Sequence, residues 1–433
     1  MAANINLGSF DLDAWEAVLS VATGTSLTDT RAASTPLTYL PTTVAVRARD
    51  LRFGGRKFSN VVVGGSREGL LWRANLDASE LSGYLEYRQA SETSAGRVYA
   101  RLGKLIVAPS DVSEVEALLN EQPASIPALD IVVEDFELRG KRLGRLEVEA
   151  INRGAVAPAR SGGTREWRLN KFNLSTPEAS LTASGSWSGI NAQSSLPVAP
   201  GSRAVAERRR TVMNFKLDVA DGGELLARFG MKDVVRKGRG KMEGQVAWLG
   251  SPFSLDYPSM TGAFTVNIEN GQFLKANDPG IAKLLGVLSL QALPRRLTLD
   301  FRDVFSDGFA FDFFRGDVGI EQGIAKTNNL QMKGVNAAVL MEGRADLARE
   351  TQDLKVVVVP EINAGTASLI ASVINPAIGL STFLAQLLLR RPLNEAATQE
   401  FHIDGSWADP KITKVDHKAA AAAPAAPPDD VAR

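Results

Sequence analysis

Leu297-Thr298-Leu299-Asp300-Phe301-Arg302 sets an apolar side chain at every second position, and the pattern runs on well past it. Phe309, Phe311 and Phe313 continue it, then Val318 and Ile320, Leu330 and Met332, Val339 and Met341. A period of two gathers the apolar side chains on one face of a sheet and the polar ones on the other. Shorter runs of the same kind lie at 44–46, 61–63, 129–133, 146–148, 215–219, 242–248 and 264–268, the last carrying Phe264, Val266 and Ile268. The reading is a mainly β chain built as a long antiparallel sheet with one apolar face. What covers that face decides the function.

Turn chemistry supports strands joined as a meander. Asn270-Gly271 reads as a hairpin turn, since both residues tolerate positive φ, and Ser306-Asp307-Gly308 reads the same way before Phe309. Helix signals are few. One covers 111–120, with Val112, Val115, Leu118 and Leu119 at helical spacing. A second, at 223–229, closes at Gly230 as a C-cap. A third, at 279–293, opens on Pro279 and carries Ile281, Leu284, Leu285, Leu288 and Leu290. Residues 154–164 and 188–210 read as loops, and the Ala/Pro-rich end at 416–433 as disordered. The organisation expected is β repeats over 1–210, a second β region over 211–360 with the 279–293 helix inserted, and 361–415 as a helical pair with a final strand.

A faint internal repeat is present. Asp50-Leu51-Arg52-Phe53-Gly54-Gly55-Arg56-Lys57-Phe58 parallels Asp135-Phe136-Glu137-Leu138-Arg139-Gly140-Lys141-Arg142-Leu143, and each has a Trp further on, Trp72 and Trp167. The shared unit is strand, Gly-Arg/Lys turn, strand, strand, as in a sheet extended by stacking neighbours.

Composition excludes several classes. Among 433 residues, Lys plus Arg number 49 and Asp plus Glu number 49, so there is no basic excess to hold nucleic acid. Without cysteine, thiolate chemistry and disulfides are out. His402 and His417 are the two histidines, too few for a histidine metal site or triad. The run Gly238-Arg239-Gly240-Lys241-Met242-Glu243-Gly244 has the wrong spacing for a dinucleotide loop and leads into a strand. Asp300, Asp303, Asp307, Asp312 and Asp317 lack calcium-loop spacing. No acid/base or nucleophile pair stands out, so neither an enzyme nor a cofactor is expected. No secretory hydrophobic region follows Met1: a strand-like start at Asn4-Ile5-Asn6-Leu7 is read as the interior of a longer product.

The apolar face has three ways to be covered. Two sheets can pack as a sandwich, one sheet can close as a barrel, or a bent sheet can form a trough filled by a ligand. Soluble monomers rarely expose more than a few hundred Å2 of contiguous apolar surface. An open trough would need an occupant such as acyl chains. On pattern alone the sandwich ranks first, being commoner.

Residues 363–389 carry no charge, yet Pro376 and Gly379 break them mid-way. Two amphipathic helices, 364–374 and 377–389, fit better than one membrane span. Leu380, Phe383, Leu384 and Leu387 form an apolar stripe on the second, closed by Arg390 and Arg391, which suit a helix C-terminus or anionic headgroups. These six are the candidate membrane contacts, and a helical plug at the end of the sheet is the other reading.

Several stretches resemble the C-terminal region of the YhdP family of AsmA-like envelope proteins. They include Ile281-Ala282-Lys283-Leu284-Leu285-Gly286, Pro294-Arg295-Arg296-Leu297, Leu299-Asp300-Phe301-Arg302-Asp303-Val304-Phe305, Asp346-Leu347-Ala348-Arg349-Glu350-Thr351-Gln352-Asp353-Leu354 and Asn375-Pro376-Ala377-Ile378-Gly379. The likeness is long over 215–415 and weaker towards the start. It implies a repeating β-groove: a long curved sheet forming a hydrophobic groove, with a few short helices and a C-terminal helical pair. This likeness moves the trough ahead of the sandwich. By the same resemblance the chain is the C-terminal part of a periplasmic, membrane-associated protein anchored upstream in the inner membrane. It would conduct phospholipid towards the outer membrane, meeting that membrane's inner surface or a protein in it. The acyl chains would line up against Phe264, Val266, Ile268, Leu297, Leu299, Phe301, Phe309, Phe311, Phe313, Val318, Ile320, Leu330, Met332, Val339 and Met341. The alternative is a non-enzymatic scaffold that assists outer-membrane assembly without carrying lipid.

Overall fold

The computed structural model describes residues 2–14, 42–53, 56–91, 94–107, 126–153, 166–189, 209–252, 255–274, 309–334, 337–360 and 399–415. Among these residues nineteen strands belong to one sheet, so the mainly β expectation holds. The seven runs picked out by alternation all fall within strands. The helices expected at 111–120, 279–293, 364–374 and 377–389, the turn at 306–308 and the tail at 416–433 lie outside the described residues. The chain divides into two compact units, Met1–Asp221 with Lys241–Gly262, and Gly222–Gly240 with Ala263–Arg433.

The first unit holds β1 (Ala2–Asp11), β2 (Thr43–Phe53), β3 (Arg56–Glu68), β4 (Leu71–Asp77), β5 (Leu81–Arg88) and β6 (Arg97–Val107). It continues with β7 (Ala128–Leu138), β8 (Lys141–Arg153), β9 (Glu166–Ser175), β10 (Ala179–Gly189) and β11 (Arg209–Val219). Each strand pairs with the next, antiparallel except at two joints, β1 with β2 and β6 with β7, which are parallel. A parallel joint requires the chain to travel back the length of a strand, and the connections there, 12–42 and 108–127, are long. Antiparallel joints need only a turn. Between β7 and β8 it is Arg139-Gly140, with φ of 52° and 73°, the two left-handed residues of a type I′ hairpin.

The internal repeat takes on structural meaning here. Both copies of the motif sit at the first hairpin after a parallel joint, β2–β3 and β7–β8. Trp72 and Trp167 lie in the third strand after each joint, β4 and β9.

The second unit contains α1 (Gly222–Arg228) and, with the unit boundary falling inside both, parts of β12 (Val235–Leu249) and β13 (Thr261–Phe273). Then come β14 (Phe309–Glu321), β15 (Ile324–Gly334), β16 (Ala337–Asp346), β17 (Thr351–Pro360), β18 (Gln399–Ser406) and β19 (Pro410–Val415), an antiparallel meander. The helix ends as its sequence foretells. Gly230 has φ 94°; its N–H donates to the Ala227 carbonyl at 2.9 Å and the Met231 N–H to the Leu226 carbonyl at 2.9 Å, a Schellman cap.

One turn expectation is corrected. Asn270-Gly271 does not end a hairpin: β13 runs straight through both residues. Asn270 adopts the left-handed conformation (φ 54°) inside the strand, where Asn is among the few side chains that tolerate it. Gly271 is buried, and the ring of Phe311 occupies the space a side chain there would need. The same two residue types serve a strand kink and a hairpin equally well, so sequence could not separate them.

Candidate functional site

Pairing register in the first unit lines up the apolar side chains in rungs that cross the strands. Leu102, Val133, Leu146, Leu174, Leu181 and Leu217 are successive partners across β6 to β11. Ala100, Ile131, Val148, Phe172, Ala183 and Phe215 form the next rung, and Val98, Leu129, Ala150, Leu169, Gly185 and Met213 the third. Partners in register point to the same face, and rungs two residues apart share it. The result is an apolar lane three rungs deep and six strands wide. Ala100, Leu102, Val133, Leu146, Ala150 and Leu169 are buried, whereas Ile131, Val148, Phe172, Leu174, Leu181, Phe215 and Leu217 are only half-buried.

The opposite face is charged and pairs its own charges. Arg101 and Arg97 reach Asp130 at 2.8 and 3.0 Å, Arg145 and Lys171 both hold Glu147, and Lys216 meets Asp218 at 2.8 Å. Burial alone would raise the Asp130 carboxyl, but the hydrogen bonds and charges of Arg101 and then Arg97 outweigh it and hold it below the ordinary carboxylate range. Lys171, hydrogen-bonded to Glu147, likewise lowers that carboxyl against a smaller desolvation effect, with help from Arg145. The two faces therefore differ in kind: one ion-paired and wet, the other oily and incompletely covered.

A fourth rung closes the lane. Asn152, Trp167, Trp187 and Thr211 are partners across β8 to β11, and Arg209 lies two residues beyond Thr211 on the same face. Trp167 and Trp187 are each 2 % exposed, and the Arg209 guanidinium stands 5.4 Å from the Trp187 ring centroid. Ile126, Ala150 and Leu169 pack around the two indoles.

In the second unit, register and burial place eight of the sequence-derived candidates together. Phe309, Phe311, Leu330, Met332, Val339 and Met341 form one buried cluster with Leu354, Val356, Val358, Phe401 and Ile403, and Val266 and Ile268 pack against it. Here the packing is closed: Val356 is 0 % and Val339 1 % exposed. Leu340 and Val357, on the other face of the same strands, are buried too, so this part of the sheet is covered on both sides. Ile320 is buried on the clustered face, while Val318 and Phe264 are half-buried. Phe313 is displaced. A bulge between Phe311 and Phe313 flips the phase of β14, so Phe314 pairs with Met332 and packs, partly buried, against the cluster, while Phe313 pairs with Lys333 on the opposite face. Leu297, Leu299 and Phe301, and the membrane-contact candidates Leu380, Phe383, Leu384, Leu387, Arg390 and Arg391, lie outside the described residues.

The lane of the first unit was not singled out from sequence. The alternation of Leu129, Ile131 and Val133, and of Leu146 and Val148, was the available signal. In β9 a bulge spaces Leu169 and Phe172 three apart on one face, and in β10 Ala183 and Gly185 dilute the pattern. Among the described residues no cluster of His, Asp or Glu could hold a metal ion, and no helix is long and apolar enough to cross a membrane.

Taken together, the described residues define a long-sheet protein built from repeated hairpin units, with an apolar lane on one face of β6 to β11. A family model described as YhdP protein matches residues 1–412, and the chain belongs to that family. Over 187 residues it is 30 % identical to the intermembrane phospholipid transporter YhdP of Escherichia coli (strain K12). That alignment covers 43 % of this chain and 15 % of the relative, so the chain spans a small part of the relative's length. No solved structure matches the chain.

Proposed function

We propose that this chain forms part of a bridge that carries phospholipid between the inner and outer membranes, with acyl chains lying on the apolar lane and headgroups in water. The observation that supports this reading best is the lane of three successive rungs on β6 to β11, apolar yet only half-buried along most of its width. A face of that extent is unusual in a soluble chain without a partner. Each acyl methylene moved out of water onto it contributes about 0.8 kcal/mol, so ten of them hold a lipid by about 8 kcal/mol before ordering costs. No bond is made or broken: the lipid slides between equivalent rungs, and the ion-paired outer face keeps the sheet in solution. The named activity of the Escherichia coli relative, intermembrane phospholipid transport, agrees with this cargo.

In the same reading, Phe309, Phe311, Leu330 and Met332, on the clustered face of the second unit, are that unit's own candidate lining. The stripe Leu380, Phe383, Leu384 and Leu387 with Arg390 and Arg391 meets the outer membrane or a protein in it. The setting is the periplasm. The test is lipid extraction from the purified chain followed by mass spectrometry, for the wild type and for Val148→Asp. Phospholipid should accompany the wild type and fall at least severalfold in the variant, with circular dichroism unchanged. A wild-type chain free of lipid rules the reading out. The closed, dry packing around Val356 favours one second reading, a scaffold that assists outer-membrane assembly without cargo, and that result would favour it.

A further inference from the structure

We propose that Trp187 of the fourth rung of the first unit, together with Arg209 two residues beyond that rung, binds the phosphate group of a lipid whose chains lie on the three apolar rungs. This rests on the reading above and adds which way the lipid points. The rung carries four polar groups, and three are matched inside the chain. The Asn152 amide donates to the Ile126 carbonyl at 2.7 Å, the Thr211 hydroxyl to the Gly250 carbonyl at 2.8 Å, and the Trp167 indole N–H to the Pro127 carbonyl at 3.4 Å. The Trp187 indole N–H, fully buried, has no acceptor among the described residues. A buried donor left unmatched is unfavourable and is uncommon in folded chains, so it marks a position where an acceptor from outside would be gained in full.

The chemistry around that donor selects the acceptor. Arg209, on the same face two residues past Thr211, brings its guanidinium to 5.4 Å from the Trp187 ring. A guanidinium over the face of an indole whose N–H is unmatched suits a phosphate oxygen better than a neutral carbonyl, because charge-assisted bonds are the stronger ones and the planar fork matches phosphate geometry. Indoles are also the side chains found where hydrocarbon gives way to headgroup, apolar in the ring and polar at the N–H. Dimensions agree. From Leu181 to Trp187 the strand advances six residues, about 20 Å at about 3.4 Å each, while one leaflet from its chain ends through its headgroup region spans about 20–22 Å, half of a bilayer of about 40–45 Å. A lipid laid along the strands with its tail ends over the Leu181 rung therefore brings its phosphate to Trp187 and Arg209.

The experiment uses the delipidated full chain and three probes: dioleoyl phosphatidylglycerol, dioleoylglycerol with the same tails and no phosphate, and inorganic phosphate. The wild type should bind the phospholipid about tenfold more tightly than the diacylglycerol, as for loss of one charge-assisted bond. Inorganic phosphate should bind far more weakly than the phospholipid. Arg209→Gln, and separately Trp187→Phe, should bring the two lipids towards equal affinity and leave diacylglycerol binding unchanged. Arg209 is only half-buried, so the first variant keeps the test open if the second fails to fold. Equal affinity for the two lipids in the wild type overturns the proposal, as does a preference that survives both variants or tight binding of inorganic phosphate alone. If neither lipid binds, it is the transport reading that fails.

Discussion

Phe311 fills the space above Gly271. A Cβ placed on that glycine would come within 2.9 Å of Phe311 Cε1 and closer still to Cζ, and Phe273 meets the same ring at a centroid distance of 5.2 Å. Contact at that range forces a side chain off its rotamer or shifts the backbone. Gly271→Ala is therefore expected to destabilise the second unit by about 1–3 kcal/mol, read from urea unfolding. Adding Phe311→Leu should recover part of the loss, since the two substitutions share one contact. A variant as stable as the wild type would show that the ring moves aside freely.

The strands were legible because alternation survives wherever one face is oily. What alternation could not report is a change of phase. Phe309, Phe311 and Phe313 are evenly spaced in sequence, yet the bulge after Phe311 sends the third ring to the other face. Asn270-Gly271 carries turn residues and is strand. The cap at Gly230, by contrast, depends on three or four local residues and was read correctly. Local chemistry was visible; register, which depends on how neighbouring strands pair, was not.

That phase change gives a direct comparison. Phe314, partly buried, packs against the buried cluster, whereas Phe313 lies on the opposite face with the Arg315 guanidinium 4.3 Å from its ring centroid. Phe314→Ala should cost about 3 kcal/mol or more as a cavity, and Phe313→Ala about 1 kcal/mol as a lost cation–π contact with some burial. Paired denaturation midpoints decide it, and a reversed order would place the bulge elsewhere.

Gln352 offers a gain in place of a loss. It is 5 % exposed, it sits on the rung Ala325–Ala345–Gln352–Gly405 beside Leu354, and neither polar atom of its side-chain amide has a hydrogen-bond partner among the described residues. A buried amide without partners costs about 1–3 kcal/mol, and leucine has similar bulk. Gln352→Leu is expected to raise the melting temperature, by calorimetry. A lower melting temperature would mean that the amide is matched in solution.

The outer face predicts an acid limb. Asp130 and Glu147 have carboxyls held below their ordinary values of 3.8 and 4.5. A group whose folded value is depressed contributes stability above its unfolded value, and that contribution disappears as pH falls through the folded one. Stability should therefore drop with acid below about pH 4.5. Asp130→Asn combined with Glu147→Gln should be less stable at pH 7 and should flatten the slope below that point. An unchanged slope in urea titrations across pH 2.5–5, a span of about two units around these values, would assign the acid sensitivity to other groups.

The two apolar regions differ in closure, and this separates folding from cargo. Phe311 is 5 % exposed within a closed cluster, so Phe311→Asp buries a charge with no partner and should unfold the second unit. Phe172 is half-buried on the open lane, between Val148 and Ala183. A carboxylate there can turn towards water, so Phe172→Asp should keep most of the stability while making the lane repel acyl chains. The expected result is a split: Phe311→Asp loses the cooperative transition in circular dichroism, and Phe172→Asp keeps it but loses bound phospholipid by mass spectrometry. If both variants fold and both keep their lipid, the cargo does not lie on this face. If Phe172→Asp unfolds as Phe311→Asp does, the lane is ordinary core, sealed by its own side chains.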